Sequence, residues 1–308
     1  MSQKLIELKQ RMRSVENIQT ITQTMATVAA AKLARTRFKA SGLQVYSSKM
    51  RELALRQSRY VQKFADHKLE EYSPLMEERK EINKVALFVI ASDIGMCGNY
   101  NGQVCRLGHK FVEDKQKEKK NVFLVTKGLK AEEYFRKRTN FPIIHKYAWR
   151  TEGVSLKDAE ELLNLMLALY KQREVDEVYS AYTRFQSAIK REPQLIRLLP
   201  LRIEREEKVK EPEFESWIYE PNAVSLLEEL IPTYLRIQVY DLLLESYASE
   251  QGARMMAMEE ASDRAEKTLQ GLKVQYNKMR RDLVTLDLLG IISASKVLEK
   301  EAIAKVGF

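Results

Sequence analysis

The stretch that decides the fold is Ala265-Glu-Lys-Thr-Leu-Gln-Gly-Leu-Lys-Val-Gln-Tyr-Asn-Lys-Met-Arg-Arg-Asp-Leu-Val-Thr-Leu286. Its apolar residues Ala265, Leu269, Leu272, Tyr276, Met279, Leu283 and Leu286 recur in alternating steps of four and three. That is the 3.5-residue period of a helix laid along a second helix. Met258 stands on the same seam upstream. At the other end of the chain, Leu5, Leu8, Met12, Val15, Ile18, Ile21, Met25 and Val28 also step by three or four. The two segments predict an antiparallel pair in which each covers the other's seam.

The helix breakers agree. All 7 prolines, at 74, 142, 193, 200, 212, 221 and 232, lie outside residues 1–73 and 233–308, and Gly42 is the only glycine before position 74. A proline costs ~3 kcal/mol in a helix interior and a glycine ~1, so both ends are free to form very long helices. At 1.5 Å per residue these span roughly 85 Å near the N-terminus and over 100 Å near the C-terminus, too long for a globular domain to contain. They are expected to protrude.

The middle alternates. Lys84–Ala91, Asn121–Thr126, Val175–Phe185 and Leu195–Ile203 read as strands, and 101–119, 127–138 and 155–172 as helices. Such alternation predicts a mostly parallel sheet with covering helices. The charged run Arg202–Glu215 reads as a linker. The expected organisation is a coiled-coil helix over 1–73, an α/β domain over 74–215, and a second coiled-coil helix with a tail over 216–308.

Composition bounds the partners. The chain has 308 residues, 44% apolar and 31% charged, with a formal net charge of +9. That favours acidic partners: a nucleic acid, an anionic membrane or an acidic protein surface. Cys97 and Cys105 are too few for a disulfide scaffold or a four-cysteine zinc site. His67, His109 and His145 share no metal-binding spacing. The longest apolar run, Val85–Ala91, is far shorter than a membrane span, and the N-terminus has no signal-peptide core. A soluble protein of a reducing compartment is expected, held by something else if it works at a membrane.

Ser92-Asp-Ile-Gly-Met-Cys-Gly-Asn-Tyr-Asn101 follows the first strand and precedes a helix, where phosphate-binding loops sit. Its glycines fit neither G-x-G-x-x-G nor G-x-x-x-x-G-K-[ST], so a structural turn is the better reading and a ligand cradle the lesser one. The two cysteines lack the C-x-x-C spacing of a redox pair. The first forty residues carry eight cations against Glu7 and Glu16, which suits nucleic acid. However, they lack stacking aromatics before Phe38, and a basic face towards an acidic protein explains the charge equally well. No catalytic constellation emerges, and Met255, Met256 and Met258 read as packing surface.

Arg13-Ser-Val-Glu-Asn-Ile-Gln-Thr-Ile-Thr22, with Met25, Val28-Ala-Ala30 and Lys32, resembles the N-terminal helix of the gamma subunit of F-type ATP synthases. Asp93, Gly95, Met96, Cys97, Gly98 and Asn101 resemble that family's D-x-G-L-C-G-x-x-N. Leu198-Leu-Pro-Leu201 and Tyr219-Glu-Pro221 also fit. Ala248-Ser-Glu-Gln-Gly-Ala-Arg-Met-Met-Ala-Met258, then Ala261, Tyr276-Asn-Lys278 and Arg280, is the strongest match. The blocks occur in family order over nearly the whole chain.

The resemblance implies a Rossmann-like domain between the paired helices. It implies the central-stalk rotor of an F-type ATP synthase, which couples rotation of a membrane c ring to cycling of the catalytic beta subunits. The implied partners are the alpha and beta subunits, epsilon and the c ring. The chain itself would be non-catalytic, without cofactor, nucleic acid or direct membrane insertion, and peripheral on the cytoplasmic face of a bacterial inner membrane. Carried over by position, Met25 and Arg254 would face the beta subunits' acidic segment at the neck, with Glu250 balancing nearby base. Arg280, Thr285 and Asp287 would meet the catch loop of an empty beta subunit. Tyr219 and Glu220 would lie at the foot, against the c ring and epsilon. Ile94, Arg281, Gly290 and the tail beyond Ala294 depart from the family pattern, which suggests a divergent or alternative F-type complex. The competing reading is a basic coiled-coil protein that binds nucleic acid or serves as a scaffold.

Overall fold

The computed structural model describes residues 3–64, 73–79, 81–138, 141–149, 153–202, 220 and 222–306. Ten elements follow one another: α1 (Gln3–Phe64), β1 (Lys84–Ile90), α2 (Tyr100–Lys117), β2 (Asn121–Lys127), α3 (Leu129–Arg138), β3 (Ile143–Tyr147), α4 (Leu156–Lys171), β4 (Glu177–Phe185), β5 (Arg191–Leu199) and α5 (Ala223–Val306). The chain divides into two compact units, one of residues 27–257 and one of 1–26 with 258–308. The division cuts both long helices rather than falling at 73 and 216. Most of the Arg202–Glu215 run, from residue 203, lies outside the described residues.

The larger unit is built on a five-stranded sheet of order β3-β2-β1-β4-β5. The first four strands are parallel and β5 is antiparallel to β4. The central strand Lys84-Val-Ala-Leu-Phe-Val-Ile90 is apolar on both faces because both are covered. Leu87 and Val89 face Val104, Cys105 and Val112 of α2 and Ala131 and Phe135 of α3. Ala86, Phe88 and Ile90 face Leu162, Met166 and Tyr170 of α4 and Leu227, Ile231 and Leu235 of α5. Ser155 caps α4 through a capping box with Asp158.

Three sequence expectations need correction here. β3 escaped notice because Ile143-Ile-His-Lys-Tyr147 is a short, half-exposed edge strand behind Pro142. β5 begins at Arg191 rather than Leu195 and includes Pro193, which an edge strand tolerates. α5 begins before Pro232 and runs through it. Complete burial of Leu227 and Ile231 and near-complete burial of Leu235 around that turn outweighs the lost hydrogen bond.

In the smaller unit, the first turns of α1 lie along the last third of α5. Lys4, Glu7, Leu8 and Arg11 share a cleft with Gln275, Lys278, Met279 and Asp282; within the larger unit Gln57 donates to the Ala223 carbonyl and Arg37 lines a cleft with Asp241 and Glu245, so α1 and α5 run antiparallel there. On α5, Met258, Ala265, Leu269 and Leu272 are buried and Tyr276, Met279 and Leu283 half-buried, as the periodicity expects. Leu286, expected on the seam, is exposed.

On α1 the expected seam drifts. The least exposed positions are Leu5, Leu8, Met12, Val15, Gln19, Thr22, Ala26, Ala29, Leu33 and Thr36, an unbroken alternation of three and four. The largest apolar residues step out of that register by one after Val15, so Ile18, Ile21 and Val28, expected on the seam, are 52%, 58% and 49% exposed. The seam keeps its period by accepting polar residues. Thr22 and Thr36 return their hydroxyls to the Ile18 and Lys32 carbonyls of their own helix, at 2.9 and 2.8 Å.

Candidate functional site

In open α/β sheets, ligands bind in the crevice beyond the carboxyl ends of the strands, where the strand order reverses. Here that point lies between β1 and β4, and the Ser92–Asn101 loop leaves β1 there. The loop is pinned from within. The Ser92 amide donates to Asn101 Oδ1 at 2.9 Å, and Asn101 Nδ2 donates to Cys97 Sγ at 3.2 Å. Asp93 accepts the Leu129 and Trp149 amides, both at 2.9 Å, and so ties β1 to the chain following β2 and β3. Gly128 has a φ of +104°, and a Cβ there would strike the Ala91 carbonyl, so no other residue fits.

One face of α5 closes on this loop. Tyr100 and Ser246 share a buried hydroxyl–hydroxyl bond of 2.8 Å. Cys97, Tyr100 and Ala253 pack together. Ser249 donates to the Thr183 carbonyl of β4 at 3.1 Å. Arg254, only 8% exposed, donates from Nη1 to Glu250 Oε1 at 2.6 Å. From Nη2 it donates to the Ile94 and Gly95 carbonyls at 2.9 and 3.3 Å. Burial raises the Glu250 carboxyl above its ordinary value, against the pull of Arg254. The crevice is thus filled by the protein's own helix.

The thiols beside it are poorly reactive. Burial raises Cys97, and pushes Cys105 up to about 12. Among the described residues, no group of three or more His, Cys, Asp or Glu side chains is gathered to hold a metal.

The sequence-chosen residues fall into four sets. Glu250 and Arg254 come together, but inward, engaged with each other and with the loop rather than presented to a partner. Met25 is half-buried on α1, beside exposed Ile18 and Ile21 on one flank. Arg280, Thr285 and Asp287 are exposed on α5, with the Thr285 hydroxyl returned to the Arg281 carbonyl at 2.9 Å. Glu220 is exposed, and Tyr219 lies outside the described residues.

Sequence reasoning missed Ser246, Ser249 and Tyr100, whose spacing on the gripping face is visible only once α5 is known to lie on the sheet. It also missed a second polar cluster. Asp241 and Glu245, one turn apart on α5, line a cleft of about 430 Å³ with Arg37 of α1 and Arg184 of β4. Burial and the neighbouring Asp241 push Glu245 up to about 7.

A family model described as ATP synthase matches residues 4–298. An ATP synthase gamma chain of Desulfitobacterium hafniense is 33% identical over 95% of this chain and 98% of its own. One of Geobacter metallireducens is 34% identical over 96% and 99%. A sodium-ion-specific gamma chain of Acetobacterium woodii is 33% identical over 97% and 100%. Among solved structures, a chain of the Euglena gracilis mitochondrial ATP synthase matches with a TM-score of 0.63, at 16% identity over 97% of this chain and 95% of that one. A chain of the Tetrahymena thermophila central stalk and c ring matches at 0.57, with 22% identity over 79% and 99%. With its paired terminal helices, its α/β middle and this near end-to-end likeness, the chain belongs to the gamma-chain family of the ATP synthases.

Proposed function

We propose that this chain is the torque-bearing, non-catalytic shaft of its ATP synthase. Its partners are the alpha and beta subunits of the catalytic hexamer, epsilon and the c ring, and it lies peripheral to the membrane as part of that complex. The observation that carries the non-catalytic reading is Arg254, which fills the crevice where a sheet of this order would hold a nucleotide. None of the described helices is long and apolar enough to cross a membrane, which fits a shaft seated on a membrane ring by protein contacts.

The shaft acts as a differential ligand. Each beta subunit is biased by the face turned towards it, and a rotating asymmetric surface changes that bias in turn. Ile18, Ile21 and Met25 supply such a face. Ile18 and Ile21 lie off the seam that α1 presents to α5 and are exposed, and half-buried Met25 continues their apolar strip at the margin of that seam. Arg280, Thr285 and Asp287 supply a polar one further along α5. Glu220, with Tyr219, belongs to the foot. The basic face of α1 is assigned to acidic protein surfaces, not nucleic acid, because the family likeness spans the whole of that helix.

The test is a titration of the isolated full-length chain with ATP and ADP, followed by its addition to alpha and beta subunits. The expected result is no nucleotide binding alone and ATP hydrolysis that depends on the chain in the mixture. Nucleotide binding by the chain itself would overturn the non-catalytic reading.

A further inference from the structure

We propose that Arg254, with Glu250 as its counter-charge, is the positioning residue that fastens the α/β layer to α5, so that torque passes between them through the backbone of the Ser92–Asn101 loop. This rests on the shaft reading above. Among the described residues, polar tethers from α5 to the sheet layer include Ser246 to Tyr100, Ser249 to the Thr183 carbonyl, Glu245 to Tyr182, and Arg254 to the Ile94 and Gly95 carbonyls. The first two are single hydrogen bonds. Arg254 alone joins one helix residue to two consecutive backbone carbonyls, and its remaining terminal nitrogen is taken by Glu250.

The chemistry suits a mechanical joint. A guanidinium presents its donors in a fixed planar fork, whereas a lysine ammonium is a rotatable point charge. The acceptors are main-chain carbonyls, while the Ile94 and Met96 side chains project outward, 63% and 60% exposed. The grip therefore does not depend on which side chains the loop displays. Both terminal nitrogens are committed inside the chain, and the residue is buried, so its guanidinium is poorly placed to meet a partner subunit. A buried joint of this kind resists shear because breaking it would strand a cation, a carboxylate and two carbonyls away from water.

The experiment uses the whole complex reconstituted in sealed vesicles. Arg254→Met is expected to assemble and to hydrolyse ATP near the wild-type rate, while ions moved per ATP fall several-fold. Arg254→Lys is expected to lose coupling in the same sense, since it keeps the charge but not the fork. In the isolated full-length chain, Arg254→Met is expected to raise amide hydrogen exchange over residues 92–101 and to leave the seam around Leu269 and Leu272 unchanged.

Full coupling in Arg254→Met overturns the proposal. So does lost coupling with unchanged hydrogen exchange over residues 92–101, which would place the action of Arg254 outside the chain. If the methionine variant does not assemble, the lysine variant and the hydrogen exchange decide: unchanged exchange over the loop overturns the proposal. A wild-type chain that supports neither hydrolysis nor pumping would instead defeat the shaft reading itself.

Discussion

Glu250 and Arg254 sit one turn apart on α5 with 2.6 Å between carboxylate and guanidinium, and their side chains are only 7% and 10% exposed. A buried pair contributes little net stability compared with apolar residues of the same volume, yet removing one partner leaves an uncompensated charge. Glu250→Leu is therefore expected to destabilise the larger unit by about 3–5 kcal/mol, and Glu250→Leu/Arg254→Met by much less. Urea denaturation of the full-length chain checks this. Equal losses in the two variants would mean that charge pairing is not what the site requires.

Glu245 makes stability depend on pH near neutrality. Its folded value of about 7 lies above the ordinary 4.5 because of burial first and Asp241 second, with Arg184 opposing. Tyr182 on β4 and Arg37 on α1 complete its surroundings. The folded state binds the proton more tightly than the unfolded one, so this contribution is fully present below about pH 4.5 and is lost as pH rises towards 7. The residue is half-buried, so the loss is discounted to about 1–2 kcal/mol. Thermal melts between those limits should show the decline in the wild type and a flatter profile in Glu245→Gln. Parallel slopes would refute the assignment.

Lys127 and Asp158 form a second buried pair, at 3.1 Å, under Trp149. Burial alone would raise Asp158, but hydrogen bonds from Ser155 and the charge of Lys127 hold it below its ordinary value. Lys127→Met should cost about 3–5 kcal/mol by stranding the carboxylate. Ser155→Ala, which removes the cap and the hydroxyl's bond to Asp158 but leaves the charge pair in place, should cost about 1–2 kcal/mol. Chemical denaturation separates the two, and a smaller loss for the lysine change would sink the argument.

Met25 tests the outward face. Met25→Lys places a charge on an apolar strip that is proposed to meet acidic protein. Because the side chain lies at the margin of the seam, the chain's own stability should change by less than about 1 kcal/mol. In the reconstituted complex the new ion pair should hinder coupling, so that ATP is hydrolysed with fewer ions pumped. Unchanged pumping would remove Met25 from the contact surface.

Much of this molecule was legible before any coordinates. The absence of prolines at both ends announced two long helices, and the short apolar runs between turn signals announced β1, β2 and β4. The errors have physical causes. Ile18 and Ile21 are larger than Gln19 and Thr22, so hydrophobicity drew the eye off a seam that the 3.5-residue period alone identifies. The cost of Pro232 inside α5 is local and legible in the sequence, whereas the burial of Leu227, Ile231 and Leu235 that offsets it is tertiary. Arg254 looked like a surface cation, since nothing in a helical pattern says that two carbonyls 160 residues upstream will meet it. That Asp241 and Glu245 share a cleft with Arg184 and Arg37 was invisible for the same reason.

The central claim is that the chain turns inside its complex and carries force without doing chemistry. The most direct measurement fixes the alpha and beta subunits to a surface, attaches a probe to the α/β layer of this chain, and follows the probe as ATP is hydrolysed. The account expects sustained rotation in one sense that stops when ATP is withdrawn. Hydrolysis at full rate with the probe stationary would contradict it.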